Sequence, residues 1–220
     1  MCRAMSEIKE YYSRRASEYE EIYRRNDQTS QRELAAIASD MKEALCGRRV
    51  LEVACGTGYW TSIVASVAEH VRAVDFSPEV LTLARAKQLD TSRVEFLEAD
   101  AYELEKVKGE FDGGLAAFWF SHVPRSRLSE FLNGFHSKMN RGHAIIFMVD
   151  NIYVPGVGGE LSTNNNTNDT YKIRELSDGS KHFILKNYYT EKLLKEVLSK
   201  YVHTLTVHMG ARYWWLNYTI

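Results

Sequence analysis

Residues 50–60 read Val50-Leu51-Glu52-Val53-Ala54-Cys55-Gly56-Thr57-Gly58-Tyr59-Trp60. A short apolar run of strand character ends in Gly-Thr-Gly, and helical spacing follows, with Trp60, Ile63, Val64 and Val67 on one face over residues 59–69. Glycines in a strand-to-helix turn let a ligand approach the backbone closely, because they carry no Cβ. The helix N-terminus behind the turn favours negative charge. Val71-Arg72-Ala73-Val74-Asp75 is a second strand, and it sets an acid 17 residues beyond Gly58. An acid there is placed to accept hydrogen bonds from the two hydroxyls of a ribose.

Working outward, the chain keeps alternating. Ser77-Pro78 pairs a capping hydroxyl with a Pro at the first helical position, predicting a helix over 78–89. Strands follow at Val94–Glu98, Phe111–Phe118 and His143–Val149, with a helix over 125–139. Strand alternating with helix at this spacing implies an α/β fold with a doubly wound, mostly parallel sheet. Residues 151–170 are Gly- and Asn-rich without periodicity, and Ser177-Asp178-Gly179-Ser180 marks a hairpin between Tyr171–Leu176 and His182–Lys186. Thr190 caps a helix of about 191–200, and two strands, about 202–208 and 211–218, close the chain as an antiparallel pair. Two helices precede the first strand. One, over 6–25, carries Ile8, Tyr11, Tyr12, Arg15, Tyr19, Ile22 and Tyr23 on a face; the other, about 30–46, carries Leu34, Ile37, Ala38, Met41 and Leu45.

A chain of 220 residues makes one domain of ordinary size. We read 1–220 as that domain, with 1–46 as an N-terminal helical cap and 151–189 as a lid and hairpin insertion. Lys plus Arg number 28 against 29 Asp plus Glu, so no basic excess serves nucleic acid, and no nucleic-acid partner is expected. No apolar run reaches the roughly 18 residues of a membrane span, and residues 1–7 have no signal-like apolar stretch. Three cysteines without a C-x-x-C pair fit a reducing, cytoplasmic setting and give no metal site.

Two cofactor classes suit a ribose-binding acid. A dinucleotide wants G-x-G-x-x-G, with pyrophosphate on the turn. Here the third position is the β-branched Thr61, and Glu52 precedes the turn. An acid at that place repels a pyrophosphate and suits an ammonium or sulfonium. S-adenosylmethionine carries a ribose, both of those cations and no phosphate. A nicotinamide-dependent oxidoreductase and a non-catalytic binding scaffold are the competing readings.

The segment E-x-A-x-G-x-G from Glu52 resembles motif I of the class I S-adenosylmethionine-dependent methyltransferases. Val74-Asp75-Phe76-Ser77-Pro78 resembles their second motif, and Glu98-Ala99-Asp100-Ala101 the third, where an Asp-Ala pair meets the adenine. Phe111-Asp112 and Asn140-Arg141-Gly142-His143 also fit, so the resemblance spans about residues 50–150. It implies a seven-stranded Rossmann-like sheet of order 3-2-1-4-5-7-6 and methyl transfer by in-line displacement. It also implies S-adenosylmethionine contacts from Glu52, Ala54, Gly56, Gly58, Asp75, Phe76, Asp100, Ala101 and Phe118. Ala54 stands where the family usually has Gly, which requires an ordinary backbone conformation there. Phe118-Trp119-Phe120-Ser121-His122-Val123-Pro124 replaces the Asn-Pro-Pro-Tyr type of signature, as in the branch that methylates small molecules. Arg15 lies at the centre of an apolar stripe, and a charge there needs a buried partner or a ligand. Either Arg15 snorkels its guanidinium to solvent, or the first helix lies over the cofactor, with Arg15 and Tyr12 or Tyr19 at its methionine end. His122 and Asp150, after the fourth strand and at the end of the fifth, are the candidate bases.

Overall fold

The fold was analysed on a computed structural model, which describes residues 20, 23, 27–140, 142–157, 159–175, 179 and 181–220. The first helix expected from the sequence, with Tyr12, Arg15 and Tyr19, lies outside the described residues. Helix α1 is Gln28–Leu45, and Asp27 caps it by accepting from Thr29 N at 3.2 Å. Its buried stripe, Leu34, Ile37, Met41 and Leu45, packs against Val50, Leu115, Phe147 and Val149 of the sheet. The order then runs β1 (Arg49–Val53), α2 (Tyr59–Val64), β2 (His70–Asp75), α3 (Pro78–Arg85), β3 (Val94–Glu98) and β4 (Gly113–Ala117). It continues with α4 (Leu128–His136), β5 (Ile145–Asn151), β6 (Leu161–Thr163), β7 (Thr170–Glu175) and β8 (Lys181–Leu185). Last come α5 (Glu191–Leu198), β9 (Thr204–Met209) and β10 (Tyr213–Thr219).

Seven strands form one sheet in the order β3-β2-β1-β4-β5-β10-β9. Counting only its own strands, this is the expected 3-2-1-4-5-7-6. The first five strands are parallel, and β10 inserts antiparallel between β5 and β9. Side chains of α1, α2 and α3 join the apolar cluster on one face; those of α4 and α5 join the other. Both faces are thus covered, which is why β1, β4 and β5 read as near-continuous apolar runs. The parallel register brings the C-terminal ends of β1, β2, β4 and β5 to one edge: Val53 pairs with Val74 and Ala116, and Ala117 with Val149. Ligands in open α/β sheets bind outside such an edge. No helix of the described residues is long and apolar enough to cross a membrane.

The helices read over 59–69 and 78–89 end earlier, at Val64 and Arg85, and three further elements differ from the sequence reading. The fourth strand begins at Gly113 because Phe111 forms only an isolated bridge with Met139. The helix expected over 125–139 divides into a 3-10 turn, Arg125–Arg127, and α4. The expected hairpin is a three-stranded sheet, since Leu161–Thr163 pairs antiparallel with Thr170–Lys172. An exposed three-residue strand without alternating burial carries no periodic signal.

Glu33 of α1 fastens the closing hairpin. Its carboxylate accepts the N–H groups of Ala211 at 2.6 Å, Arg212 at 3.0 Å and Tyr213 at 3.0 Å. Glu33→Ala is expected to cost about 1 kcal/mol, since water reaches these partly exposed amides. A urea midpoint equal to that of the wild type would show that the three bonds add nothing.

Candidate active site

The turn between β1 and α2 is built on left-handed backbone. Ala54, Gly56 and Gly58 have φ of 52°, 55° and 77°. This corrects the expectation for Ala54: it does not keep an ordinary conformation. The family's Gly has a physical reason at this position, because a Cβ in the left-handed region costs roughly 1 kcal/mol or more. A Cβ added at Gly58 would meet Ala84 Cβ at 3.2 Å and Phe96 Cζ at 3.3 Å, so the turn packs tightly against α3 and β3.

Asp75, at the end of β2, is 6% exposed. Its Oδ2 accepts Gly56 N–H at 2.9 Å and its Oδ1 accepts Ser77 N–H at 3.0 Å. Burial raises its carboxyl above the usual range, and the backbone N–H groups of Ser77, Gly56 and Phe76 oppose that rise. The acid therefore does two things: it shapes the glycine turn and it faces the cleft. That cleft is partly open to solvent. Ala54, Gly56, Asp75, Phe76, Phe118 and His122 line it together with Thr57, Val80 and Trp119.

Glu52 stands beneath the turn instead of on the cleft wall. It is 1% exposed, and its Oε2 accepts the Thr61 hydroxyl at 2.6 Å. Burial pushes its carboxyl up to about 8, with the Asp75 charge adding to the rise and Thr61 opposing it. The place where a dinucleotide turn keeps its third Gly is thus filled by the hydrogen-bonded Glu52–Thr61 pair. Asp100 turns Oδ1 onto Tyr102 N–H at 2.9 Å, as a turn-capping acid does, and Ala101 beside it is buried.

Phe118 has φ 57°, a conformation few non-glycine residues adopt. Its N–H donates to Val149 O at 2.7 Å, and its ring is set against Tyr23, Trp60 and Tyr213. A strained residue is retained where its surroundings over-determine it, often at ligand sites. The turn Phe120–His122 follows. Ser121 N–H donates to Asp150 Oδ2 at 2.8 Å, and Lys186 Nζ donates to Asp150 Oδ1 at 2.8 Å. Burial favours the protonated carboxyl of Asp150, but Lys186, His122 and the Ser121 amide outweigh it and hold the group below the usual carboxylate range.

Two contributors were not assigned from the sequence. Glu20 accepts the Thr57 hydroxyl at 2.8 Å and forms an ion pair with Lys87. Tyr23 stacks on Tyr59 with ring centroids 4.0 Å apart, and its hydroxyl accepts from Trp60 Nε1 at 3.2 Å. Tyr23 lies on the stripe read for residues 6–25, so the signal was present. A charge among apolar residues, Arg15, is the more conspicuous anomaly on that stripe and masks it. Thr57, Val80 and Trp119 line the cleft and were not assigned either: Thr57 stands between the two glycines of the turn, and Val80 and Trp119 have no polar pattern that marks them.

A doubly wound sheet with a glycine turn after β1 and an acid closing β2 defines a Rossmann-like protein with a cleft at the strand C-terminal edge. A family model described as a methyltransferase domain matches residues 50–142. A demethylmenaquinone methyltransferase of Clavibacter sepedonicus is 37% identical over 90 residues, 40% of this chain and 37% of its own length. A ubiquinone biosynthesis O-methyltransferase of Aromatoleum aromaticum is 32% identical over 87 residues, 39% of this chain and 37% of its own. The chain thus spans a little over a third of the length of these curated relatives. Among solved structures, the DhpI–SAH complex superposes with a TM-score of 0.76 and 25% identity, over 98% of this chain and 96% of that one. The DhpI–SAM–HEP complex gives a TM-score of 0.78 at 24% identity, over 100% of both chains. Residues 50–142 thus match a methyltransferase domain, and the fold is that of the DhpI complexes with S-adenosylhomocysteine and S-adenosylmethionine.

Proposed function

We propose that this chain transfers a methyl group from S-adenosyl-L-methionine to a small-molecule acceptor. The observation that carries the reading is the cleft built from the left-handed turn Ala54–Gly58 and the buried acid Asp75. These residues fit the cofactor. The turn brings backbone to the cleft wall, Asp75 suits ribose hydroxyls, and Glu52 with Thr61 occupies the space a dinucleotide turn leaves open. Gly56, Phe76, Val80 and Phe118 would hold the adenosine and methionine parts, with Gly58, Asp100 and Ala101 supporting the turn and the β3 end. When bound, S-adenosylmethionine supplies an electrophilic methyl on a sulfonium.

The chain's part is orientation and exclusion of water, which account for much of such a reaction. Phe118, Trp119 and His122 line the cleft together, which supports His122 as the base that takes a proton from an acceptor. Asp150 is the weaker candidate for a base: its carboxylate is already engaged by Lys186 and two backbone amides. The contacts of Glu20 and Tyr23 with Thr57, Tyr59 and Trp60 support an N-terminal segment that closes over the cofactor, as read for Tyr12, Arg15 and Tyr19. A cytoplasmic setting, read from the cysteine usage, belongs to this proposal.

S-adenosylhomocysteine at 100 times its dissociation constant is expected to add about 2.7 kcal/mol of stability. A thermal-shift assay reads this directly. Stabilisation by NAD(H) with none from S-adenosylhomocysteine would overturn the reading in favour of an oxidoreductase.

A further inference from the structure

A buried joint connects the 151–189 insertion to the wall of the cleft. Lys186, just past β8, and Asp150, at the end of β5, form an ion pair with side chains only 7% and 0% exposed. Asp150 passes the contact on to Ser121 N–H. The next insertion residue repeats the link: Asn187 N–H donates to Ser121 O at 2.8 Å, and Asn187 Nδ2 donates to Val123 O at 3.1 Å. Asn187 Nδ2 also donates to Asp169 Oδ1 at 2.9 Å, and Asp169 Oδ1 accepts Arg125 N–H at 2.9 Å. Both backbone groups of Ser121 are therefore held by this joint, one by Asp150 and one by Asn187. On either side of Ser121, Phe118, Trp119 and His122 line the cleft.

An insertion that merely covers a surface has no need of a buried ammonium. Taking two charges out of water is costly, and apolar residues of similar volume hold elements together as well or better. A buried ion pair adds directional geometry, one register between the parts it joins. Here that register connects β8 to the 118–123 segment.

We propose that Lys186 is a positioning residue for methyl transfer, fixing through Asp150 the turn that presents Trp119 and His122 to the cleft. This rests on the methyltransferase reading for the use of the turn; the joint itself is testable in the ligand-free protein. The experiment is amide hydrogen exchange on the full chain, comparing wild type with Lys186→Met, Lys186→Arg and the double variant Asp150→Leu/Lys186→Met. Met41→Ala, a core change on the other face of the sheet, serves as a control for general destabilisation. Lys186→Met is expected to speed exchange at the Ser121 and His122 amides at least tenfold relative to the Val50–Val53 amides. Lys186→Arg should restore most of the protection. The double variant leaves no buried charge unpaired but takes the acceptor from the Ser121 and Asn151 amides, so its melting temperature should fall and the turn should loosen. Met41→Ala should lower the melting temperature without singling out the turn. Unchanged exchange at Ser121 and His122 in the double variant, or acceleration spread evenly over the sheet, would overturn the proposal. Calorimetry with S-adenosylhomocysteine on the wild type keeps the two claims apart. No binding there would remove the role assigned to the turn, whatever the exchange shows.

Discussion

Asp75→Ala is expected to weaken S-adenosylhomocysteine binding by a factor of about 100 or more. Two charge-assisted hydrogen bonds to a ribose, at roughly 1.5–3 kcal/mol each, set that scale. The structure adds a second consequence that the position at a strand end does not reveal. The same carboxylate holds Gly56 N–H and Ser77 N–H, so its removal strips the glycine turn of its tie and the start of α3 of a partner. Each amide left unsatisfied costs roughly 1–3 kcal/mol if water does not reach it. Stability should therefore fall along with affinity. Asp75→Asn separates the two effects: its amide oxygen can still accept from one backbone N–H, while the charge that strengthens ribose bonds is gone. Titration calorimetry on both variants, at a temperature where each is folded, is the check. Wild-type affinity in Asp75→Ala would remove Asp75 from the cofactor site.

Glu52→Gln is expected to make the protein more stable at pH 8 than the wild type, by a few kcal/mol, and to leave the two alike near pH 4.5. The folded-state carboxyl titrates at about 8 against an ordinary value of 4.5. Between those values the folded state keeps a proton that the unfolded state has released, so wild-type stability falls as pH rises through the window. Each unit of separation amounts to about 1.36 kcal/mol. Glutamine resembles the protonated acid, can still accept from Thr61 and does not titrate. Asp75 is also raised by burial, but it is present in both proteins and drops out of the comparison to first order. Urea midpoints at pH 5, 6.5 and 8 measure the difference. Parallel stability curves for the two proteins would mean that Glu52 reaches water in solution and is not the buried acid described here.

Glu52 illustrates what sequence can and cannot deliver. An acid two residues before a glycine turn was legible as part of a cofactor motif, and it argued against a pyrophosphate. Its partner was not legible. Thr61 could be read as an obstacle to a dinucleotide, yet only the packing of α2 on β1 makes it the hydrogen-bond donor to Glu52. Ala54 shows the reverse case. Sequence reading allowed an Ala on the condition of ordinary backbone, and the turn imposes a left-handed one, because geometry at a tight approach is set by what the chain must reach next.

The sequence by itself determined the fold class, the strand order through its resemblance, and the place of the cleft. Those follow from local rules: apolar periodicity, capping residues, and glycines where a strand turns into a helix. It determined the acid at the end of β2 for the same reason, since chain order alone places Asp75 beside the turn in a parallel sheet. Tertiary structure alone decided which polar groups meet. Asp150 pairs with Lys186, 36 residues away, and Glu20 reaches Thr57, 37 residues away. Glu33 holds a hairpin 178–180 residues further on. No local pattern encodes such pairs, because each depends on how separate elements are brought together and on the cost of burying a charge without a partner. Tertiary structure likewise turned the expected hairpin into a three-stranded sheet, since an exposed edge strand is specified by its neighbour's free hydrogen-bonding edge and not by its own composition.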